Sequence, residues 1–313
     1  MTTPAILVPS AALASRLGDC DFGDAAVYGP DSIADGVPEE LAARVEVLIS
    51  GGEALDTGLV DALPRLELVA CFSTGYAGID LAHLRKRGIQ LTTAAGINAH
   101  DVADHAVALL LAWWHGIPTA DRLVREGGWR EGLVPRPSLR GRRAGIVGLG
   151  RIGRAVARRL AAHEMAVSWW GPREKPDAEF PRAQSLVALA ADSDVLVVTS
   201  RATPSNAHQI DASILRALGP QGALINVSRG FLVDEEALVA ALRDGTIGGA
   251  MLDVFADEPT DAARWRDLAN VVVTPHLAGY TREAGVDMIG QLVENVRRHL
   301  HGEPLLSPVE DPL

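Results

Sequence analysis

The stretch RAGIVGLGRIGRAVARRLAAH, residues 143–163, decides how the fold is interpreted. An aliphatic run leads into three glycines spaced GxGxxG, a helical sequence follows them directly, and the next apolar run, AVSWW, begins three residues later. Glycines at this spacing allow a tight turn and let a phosphate approach the free N–H groups of the helix N-terminus. The context of strand, turn and helix therefore predicts a dinucleotide-binding turn. The predicted contacts are Gly148, Gly150, Arg151, Ile152 and Gly153.

Short aliphatic runs alternate with helical stretches on both sides of this turn. Four such runs lie in the first 95 residues, and a second series of strands and helices continues from AGIV to VVVTP. Between the two series the pattern predicts one helix from Ala99 to Trp114, followed by a connection rich in Gly and Pro from Gly116 to Arg143. The predicted fold class is α/β, with two doubly wound parallel sheets.

The composition indicates which classes of partner and which cellular compartment to expect. A chain of 313 residues, 48% hydrophobic and 22% charged, is long enough for two packed domains. The net charge of −11 argues against nucleic acid as the main partner, and no apolar run approaches the roughly 20 residues that span a bilayer. Because only Cys20 and Cys71 are present, there is no disulfide framework. We expect a reducing compartment, the cytoplasm, and no membrane partner.

One basic segment departs from this acidic balance. Residues 132–163 contain eight Arg and neither Asp nor Glu. Two interpretations stay open. The segment is a solvated helix face, because Arg151, Arg154 and Arg158 recur at helical spacing, or it produces a field that favours cofactor phosphates.

Three polar motifs follow aliphatic runs in the C-terminal half: INVSRG with Arg229, LDVFADEP with Glu258 and TPHLAG with His276. Parallel sheets bind ligands beyond the carboxyl ends of their strands, so these side chains are expected to converge. An Arg fork can grip a carboxylate, an imidazolium can deliver a proton, and a carboxylate keeps that imidazole charged. Singly, each residue is more often solvated or ion-paired; together, and in order, they predict a catalytic set.

The segment WWGPRE after the second strand of this series bears on the choice of coenzyme. An acidic residue here binds the ribose hydroxyls of NAD, whereas Arg accommodates the 2′-phosphate of NADP. Gly171 stands where the acid is expected, 18 residues after Gly153, and Arg173 follows it. The segment predicts NADPH in preference to NADH, with NADH still possible. Two alternatives stay open: Arg173 is an ordinary surface residue, or Lys175 binds the 2′-phosphate in its place.

The chain closely resembles the D-isomer-specific 2-hydroxyacid dehydrogenase family over nearly its whole length. The stretches that carry the resemblance are STGYAGID, HDVADHAVALLLA, GIVGLGRIG, ALGPQGALINVSRGFLVDEEAL, GGAMLDVFADEP and VVVTPHLAGYT. Within the family, the chain is most similar to the branch that reduces glyoxylate, hydroxypyruvate and hydroxyphenylpyruvate. Three features carry this similarity: VADHA in the linking helix, the Arg after the second strand, and the closing EPLLSPV. The resemblance implies reduction of a small 2-keto acid to a D-2-hydroxy acid.

The resemblance also implies roles for individual residues. Arg229 binds the substrate carboxylate and polarises the keto oxygen, His276 donates the proton, and Glu258 hydrogen-bonds His276 and keeps it protonated. Asp253 binds the nicotinamide carboxamide, and Thr203 faces the nicotinamide ribose, although SRATP departs from the usual version of that motif. The loop whose backbone N–H groups hold the substrate carboxylate from the other side contains Ser73, Gly75 and Tyr76.

By the same resemblance, a Rossmann dinucleotide-binding domain is inserted into a flavodoxin-like substrate domain. The expected boundaries give residues 1–98 and 285–313 to the substrate domain and 99–284 to the dinucleotide domain. A homodimer through the region of the linking helix is expected. Three other functions remain: an NAD-dependent dehydrogenase of the phosphoglycerate or formate type, an NADH-sensing corepressor scaffold, and a Rossmann methyltransferase. Formate enzymes have Gln where Glu258 stands, and a methyltransferase has no need of His276.

Two further patterns in the chain have structural interpretations. His100, Asp101, Asp104 and His105 have a spacing that imitates a metal site, but acids in a first helical turn explain it, and no metal is predicted. Three tryptophans near the linking helix are expected to pack in the core or at a subunit contact: Trp113, Trp114 and Trp129.

Overall fold

The computed structural model describes residues 3–52, 54–131 and 133–309, and the chain divides into two compact units. Unit 1 comprises Met1–Asn98 and Thr281–Leu313, and unit 2 comprises Ala99–Tyr280. The second boundary of this division lies at Thr281, where the sequence-based expectation has 285. Each unit is built around its own parallel β-sheet.

Unit 1 contains a five-stranded parallel sheet with strand order β2-β1-β3-β4-β5. This order is that of flavodoxin-like folds and confirms the predicted fold class for this unit. The 3-10 turn Pro30–Ile33 also belongs to it. The elements are β1 Ala5–Leu7, α1 Ala11–Leu17, β2 Ala26–Tyr28, α2 Glu39–Ala42, β3 Val45–Ser50, α3 Thr57–Asp61, β4 Leu68–Cys71, α4 Leu81–Lys86, β5 Gln90–Thr92 and α12 Arg282–Leu300.

The sheet of unit 1 is covered on both faces, which is why its strands are short unbroken apolar runs. Leu292 and Val296 of α12 are buried in one core cluster with residues of β1, β3 and β4. The edge strand β2 was not predicted, because it has only three residues, two partly buried and one exposed, and they carry little apolar pattern. At the opposite edge, the Val309 N–H donates to Leu91 O, so the C-terminal segment lies beside β5.

Unit 2 contains a six-stranded parallel sheet with strand order β11-β10-β9-β8-β6-β7. The order reverses direction between β6 and β8, which marks the switch point where such sheets bind dinucleotides. Two 3-10 turns, Pro204–Asn206 and Gly230–Leu232, follow β8 and β9. The elements are α5 Ala99–Trp114, α6 Ile117–Arg125, β6 Arg143–Val147, α7 Arg151–Ala162, β7 Ala166–Trp170, α8 Leu186–Ala191, β8 Val195–Val198, α9 Ala212–Leu218, β9 Ala223–Asn226, α10 Glu235–Arg243, β10 Gly249–Leu252, α11 Ala262–Trp265 and β11 Val271–Val273.

Helix α5 has the predicted bounds, but the expectation of a plain connection after it is wrong. Helix α6 forms within that segment. Gly116 adopts a left-handed conformation, φ 65°, that ends α5, and Pro118 lies in the first turn of α6, where its missing N–H costs no hydrogen bond. Gly and Pro therefore begin a second helix here instead of excluding one.

The three tryptophans of this region differ in burial: Trp114 is buried, Trp113 is partly buried and Trp129 is exposed. Trp113 Nε1 donates to Asn270 O at 3.0 Å, and Trp114 Nε1 donates to Pro137 O at 2.8 Å. Trp129 is 64% exposed, so it does not pack in the core of this chain, and its expected place at a subunit contact stays a prediction.

Candidate active site

The carboxyl ends of five strands of unit 2 lie in one row across the sheet. Strand register pairs the last residue of β6 with that of β8, then β9, β10 and β11 in turn. Because all strands are parallel, the loops that follow them emerge at this one edge. The row consists of Val147, Val198, Asn226, Leu252 and Val273.

The glycine-rich turn follows β6, and packing explains two of its three glycines. Gly148 has φ 94°, and a Cβ there would lie 2.5 Å from the Cα of Ser200. A Cβ on Gly153 would lie 2.1 Å from the carbonyl oxygen of Gly148. A Cβ on Gly150, in contrast, would have no atom within 4 Å. Gly148 and Gly153 thus close the turn, and Gly150 leaves its outer side accessible.

The N-terminus of α7 fits the diphosphate of a dinucleotide. Its cap residue, Gly150, provides no side-chain hydrogen bond to the first N–H groups of this helix of 12 residues. Uncapped N–H groups and the helix dipole together attract an anion. Ile152 is partly buried against the core, while Arg151 at the first helical position is exposed. The residues present therefore suit a bound nicotinamide dinucleotide.

Arg229 follows β9 in a turn that Asn226 holds. The Asn226 side chain donates to Arg229 O at 3.0 Å and accepts from the Ser228 N–H at 3.1 Å. The Arg229 guanidinium donates to Ser228 O at 2.7 Å. Burial lowers the pKa of Arg229 from its ordinary value, and the nearby Glu258 carboxylate partly opposes this effect. A half-buried guanidinium of this kind can bind a carboxylate with little competition from water.

Gly230 connects the Arg229 turn directly to the segment that carries Glu258. A Cβ on Gly230 would lie 1.8 Å from the carbonyl carbon of Phe255, so the two backbones are in contact. Glu235 of α10 fixes the same segment, because it accepts a hydrogen bond from the Ala256 N–H. The positions of Arg229 and Glu258 are therefore set by backbone packing.

His276 and Glu258 form a short charge-assisted pair. His276 Nδ1 lies 2.6 Å from Glu258 Oε2, while Glu258 Oε1 accepts from the Phe255 N–H at 3.0 Å. The Nε2 atom of His276 makes no hydrogen bond with the described residues, and the side chain is 46% exposed. His276 has φ 51°, a conformation that is uncommon outside glycine. A protonated ring held through Nδ1 can donate its Nε2 proton to a ligand.

Asp253 lies beneath the His276 turn with a side chain that is 1% exposed. Its Oδ1 accepts from Thr274 Oγ1 at 2.6 Å and from the Leu277 N–H at 3.0 Å, and its Oδ2 accepts from the Ala278 N–H at 2.9 Å. Burial alone would raise the pKa of Asp253, but these hydrogen bonds and one from His105 hold it below its ordinary value. Asp253 therefore holds the turn that carries His276, beside any contact it makes with a cofactor.

The predicted carboxylate-binding loop belongs to unit 1 and follows β4. The Ser73 hydroxyl donates to Gly75 O within the loop and lies 3.4 Å from Cys71 Sγ. Gly52, with φ 94°, packs against the same loop, because a Cβ on it would lie 2.5 Å from Gly75 O. Tyr76 contributes to the core of unit 1. The Ser73 side chain thus stabilises the loop, and the predicted ligand role falls to its backbone.

Thr203 has a local structural partner in addition to its predicted role. Its N–H donates to Asn206 Oδ1 at 2.7 Å, and its hydroxyl lies 3.1 Å from the same oxygen. Thr203 therefore caps the 3-10 turn Pro204–Asn206. This cap explains Thr at this position without a cofactor.

The segment after β7 leaves Arg173 without an acidic partner among the described residues. Glu174, the acid next to it, lies 3.5 Å from Arg182. Arg182 also donates to Gly171 O at 2.8 Å and lies over the Trp169 ring. Arg182 thus anchors the segment and pairs with Glu174.

Most Arg of the basic segment 132–163 have acidic partners from elsewhere in unit 2. This pairing favours a locally neutralised surface over a broad field for phosphates. The dipole of α7 and its backbone N–H groups remain as the phosphate-binding feature. The pairs are Arg140–Glu164, Arg142–Asp194, Arg143 with Asp192 and Asp194, Arg154–Asp177, Arg158–Glu179 and Arg159–Asp104.

The residues that imitate a metal site on α5 have other partners. Asp104 pairs with Arg159 at 2.7 Å, which lowers the pKa of this carboxyl group, and His105 contacts Thr274. Within residues 3–52, 54–131 and 133–309, no group of three or more His, Cys, Asp or Glu side chains could hold a metal ion. In the same ranges, no helix is long and apolar enough to cross a membrane.

A Rossmann sheet with an acid–base pair at its carboxyl edge is the framework of a nicotinamide-dependent dehydrogenase. Residues 107–278 match the family described as D-isomer specific 2-hydroxyacid dehydrogenase, NAD binding domain. Hydroxyphenylpyruvate reductase of Plectranthus scutellarioides is 42% identical over 255 residues, which is 81% of this chain and 82% of that protein. The chain therefore belongs to the D-isomer specific 2-hydroxyacid dehydrogenase family and is an NAD(P)-dependent enzyme of that family.

Solved structures agree with this assignment. A 2-hydroxyacid dehydrogenase from Ketogulonicigenium vulgare Y25 matches with a TM-score of 0.87 and 39% identity, over 99% of both chains. The NADPH-dependent glyoxylate/hydroxypyruvate reductase of Sinorhizobium meliloti, in complex with NADP and malonate, has a TM-score of 0.87 and 36% identity, over 98% of this chain and 97% of that one. The predicted family, fold class and enzyme class are confirmed.

Proposed function

We propose that this enzyme reduces a small 2-keto acid to a D-2-hydroxy acid with NADPH as the hydride donor. The substrate class comprises glyoxylate, hydroxypyruvate and aryl-pyruvates, as the names of the relatives above suggest. When bound at the α7 N-terminus, the coenzyme would supply the hydride that the keto carbon accepts. The protein supplies the proton and the carboxylate-binding groups. Unit 2 is the dinucleotide domain and unit 1 the substrate domain.

The observation that carries this proposal is the 2.6 Å contact between His276 Nδ1 and Glu258 Oε2. The carboxylate stabilises the positive charge of a protonated ring and fixes its orientation. Nε2 of His276 then transfers its proton to the keto oxygen as hydride reaches the carbon, and the alcohol forms. Glu258 is itself oriented by the Phe255 N–H, so the pair is in place before substrate binds.

Arg229 is the proposed substrate anchor. Its guanidinium is half-buried in unit 2, and its turn packs on the segment of Glu258 through Gly230. A planar fork binds the substrate carboxylate in a bidentate manner and polarises the adjacent keto oxygen. Independently of Arg229, the backbone N–H groups of the Ser73–Tyr76 loop of unit 1 are proposed to bind the substrate carboxylate. Asp253 and Thr203 are proposed to contact the nicotinamide carboxamide and ribose.

Preference for NADPH rests on the absence of an acid where β7 ends. Gly171 stands at the expected position, Glu174 pairs with Arg182, and Arg173 makes no ion pair with the described residues. A guanidinium that is not paired with an acid can bind a 2′-phosphate, whereas an NAD-binding site uses a carboxylate for the ribose hydroxyls. NADH remains a slower substrate in this proposal.

A homodimer is proposed through the apolar surface of α6 and the segment that follows it. Several large apolar side chains are exposed along this stretch of the chain, and exposed apolar surface of this kind is typical of protein interfaces. Sedimentation should give about twice the chain mass, and charged substitutions at Trp129 and Val134 should shift it to the monomer. A monomer in the wild type would exclude this proposal. The exposed side chains are Ile117, Val124, Trp129, Leu133 and Val134.

Initial rates test the function directly. They should be measured with NADPH and NADH against glyoxylate, hydroxypyruvate, phenylpyruvate, hydroxyphenylpyruvate and 3-phosphohydroxypyruvate, with chiral analysis of the product. We expect NADPH to give the higher kcat/KM with one of the first four acids and a D-product. Turnover only of the phosphorylated acid with NADH would support the phosphoglycerate type of enzyme. Tight NADH binding without any turnover would support a sensor.

A further inference from the structure

His105 on α5 contacts the turn that carries His276, although no proposed catalytic step uses it. His105 Nε2 lies 3.0 Å from Thr274 Oγ1 and 3.4 Å from Asp253 Oδ1. The side chain is 18% exposed, and all three residues belong to unit 2. These contacts join a helix far away in the chain to the loop between β11 and α12.

Proton positions in this network follow from the acceptor at its end. An ionised carboxylate only accepts hydrogen bonds, and the pKa of Asp253 is held below its ordinary value. Thr274 Oγ1 therefore donates its single proton to Asp253 Oδ1, at 2.6 Å. The same oxygen can only accept from His105, so Nε2 of His105 carries a proton. The chain of donation runs from His105 to Thr274 to Asp253.

Asp253 also fixes the backbone around His276 through hydrogen bonds. Its two oxygens accept from the Leu277 and Ala278 N–H groups, and its carbonyl oxygen accepts from the His276 N–H at 2.8 Å. His276 has φ 51°, a strained conformation for a residue with a side chain, which persists only where its surroundings hold it. The hydrogen bonds of Asp253 are among the contacts that hold it.

We infer that His105 is a positioning residue for the proton donor: its Nε2–H fixes Thr274 and Asp253, and through them the backbone of His276. The inference rests on the proposed role of His276. In the proposed mechanism, His105 touches neither the substrate nor the reacting atoms. Its removal displaces the imidazole of His276, and a displacement of about 1 Å in a catalytic group costs about 10²-fold in rate.

The test compares two substitutions of His105 with a matched one on the same helix. His105→Phe keeps a ring but removes the donor, and His105→Gln keeps an N–H donor of similar reach. His100→Phe, near the start of α5, is the control. We expect His105→Phe to lower kcat about 10- to 100-fold and to leave the KM for the coenzyme within about twofold. We expect His105→Gln to recover most of kcat and His100→Phe to match the wild type.

A double-mutant cycle separates this inference from the proposed function. If His105 acts through His276, then His105→Phe has no further effect on kcat in a His276→Asn background. The inference is overturned if the losses in kcat of the two single variants multiply in the double variant. It is also overturned if His105→Phe raises the coenzyme KM and leaves kcat unchanged. A His276→Asn variant with wild-type kcat overturns the proposed function instead. Binding of the coenzyme, followed by its fluorescence, reports that each variant is folded, and Thr274→Val provides a second break in the chain if His105→Phe does not fold.

Discussion

Gly230 lies directly against the backbone of Phe255, so closely that a Cβ on Gly230 would sit 1.8 Å from the Phe255 carbonyl carbon. This contact joins the turn of Arg229 to the segment of Glu258. The distance between the proposed substrate anchor and the partner of the proton donor is thus fixed by two backbones, which cannot move as flexible side chains do.

Gly230→Ala should therefore impair both stability and catalysis. We expect the free energy of unfolding to fall by about 1–3 kcal/mol, and kcat/KM for the keto acid to fall about 100-fold. Gly285→Ala in α12 is the matched control, since a Cβ there has no atom within 4 Å and Ala favours a helix by about 0.5–1 kcal/mol. Thermal unfolding and steady-state kinetics check both. A Gly230→Ala enzyme with wild-type kinetics would show that the two turns are independent.

Substitutions in the glycine turn should separate folding from coenzyme binding. Gly150→Ala has room within the protein, so we expect a free energy of unfolding within about 0.5 kcal/mol of wild type. Its methyl group would nevertheless obstruct a diphosphate at the α7 N-terminus, raising the coenzyme KM about tenfold or more. Gly153→Ala would collide with Gly148 O and should destabilise the fold itself. An unchanged coenzyme KM in Gly150→Ala would place the diphosphate elsewhere.

Arg173→Ala should change the choice of coenzyme. Loss of a charge-assisted hydrogen bond of about 1.5–3 kcal/mol would lower the ratio of kcat/KM with NADPH to that with NADH about 10- to 100-fold. Arg158→Ala is the control, because Arg158 is exposed and already paired with Glu179. Equal losses with both coenzymes, or a constant ratio, would mean that Arg173 does not bind the 2′-phosphate.

Asp253→Asn should reveal the pH dependence of the His276 turn. The folded-state pKa of Asp253 is depressed, so its stabilising effect is complete above its ordinary pKa of about 3.9 and is lost as pH falls through the lower folded value. We expect the variant to be about 2 kcal/mol less stable at pH 7, with the gap narrowing below about pH 4. Urea unfolding from pH 7 to pH 3 measures this difference in the free energy of unfolding. Asp257→Asn is the control, because Asp257 is exposed. A gap that widens in acid would contradict this assignment.

Local sequence patterns predicted the framework of unit 2 well. The glycine turn needs only neighbouring residues, so GLGRIG between a strand and a helix was sufficient to predict it. Helix α6 and strand β2 were missed for local reasons as well. Pro118 resembles a helix breaker unless its place in the first turn is known, and a three-residue edge strand has little apolar pattern.

The supporting residues of the site were harder to predict than the three residues in its motifs. His105 and Thr274 are 169 positions apart, and nothing near either one indicates that they meet. Gly230 looks like an ordinary turn glycine until the backbone of Phe255 is seen against it. Three side chains accept hydrogen bonds from backbone N–H groups of turns whose shapes are set by tertiary packing: Asn226, Asp253 and Glu235. Such partners become visible only in the folded chain.

His276→Asn tests the central proposal most directly. Asn tolerates the left-handed backbone at this position, so the turn should persist while the proton donor is lost. We expect kcat for the preferred keto acid to fall about 10²- to 10⁴-fold, with coenzyme binding unchanged. A variant that retains near wild-type kcat would contradict the assignment of His276 as the group that protonates the keto oxygen.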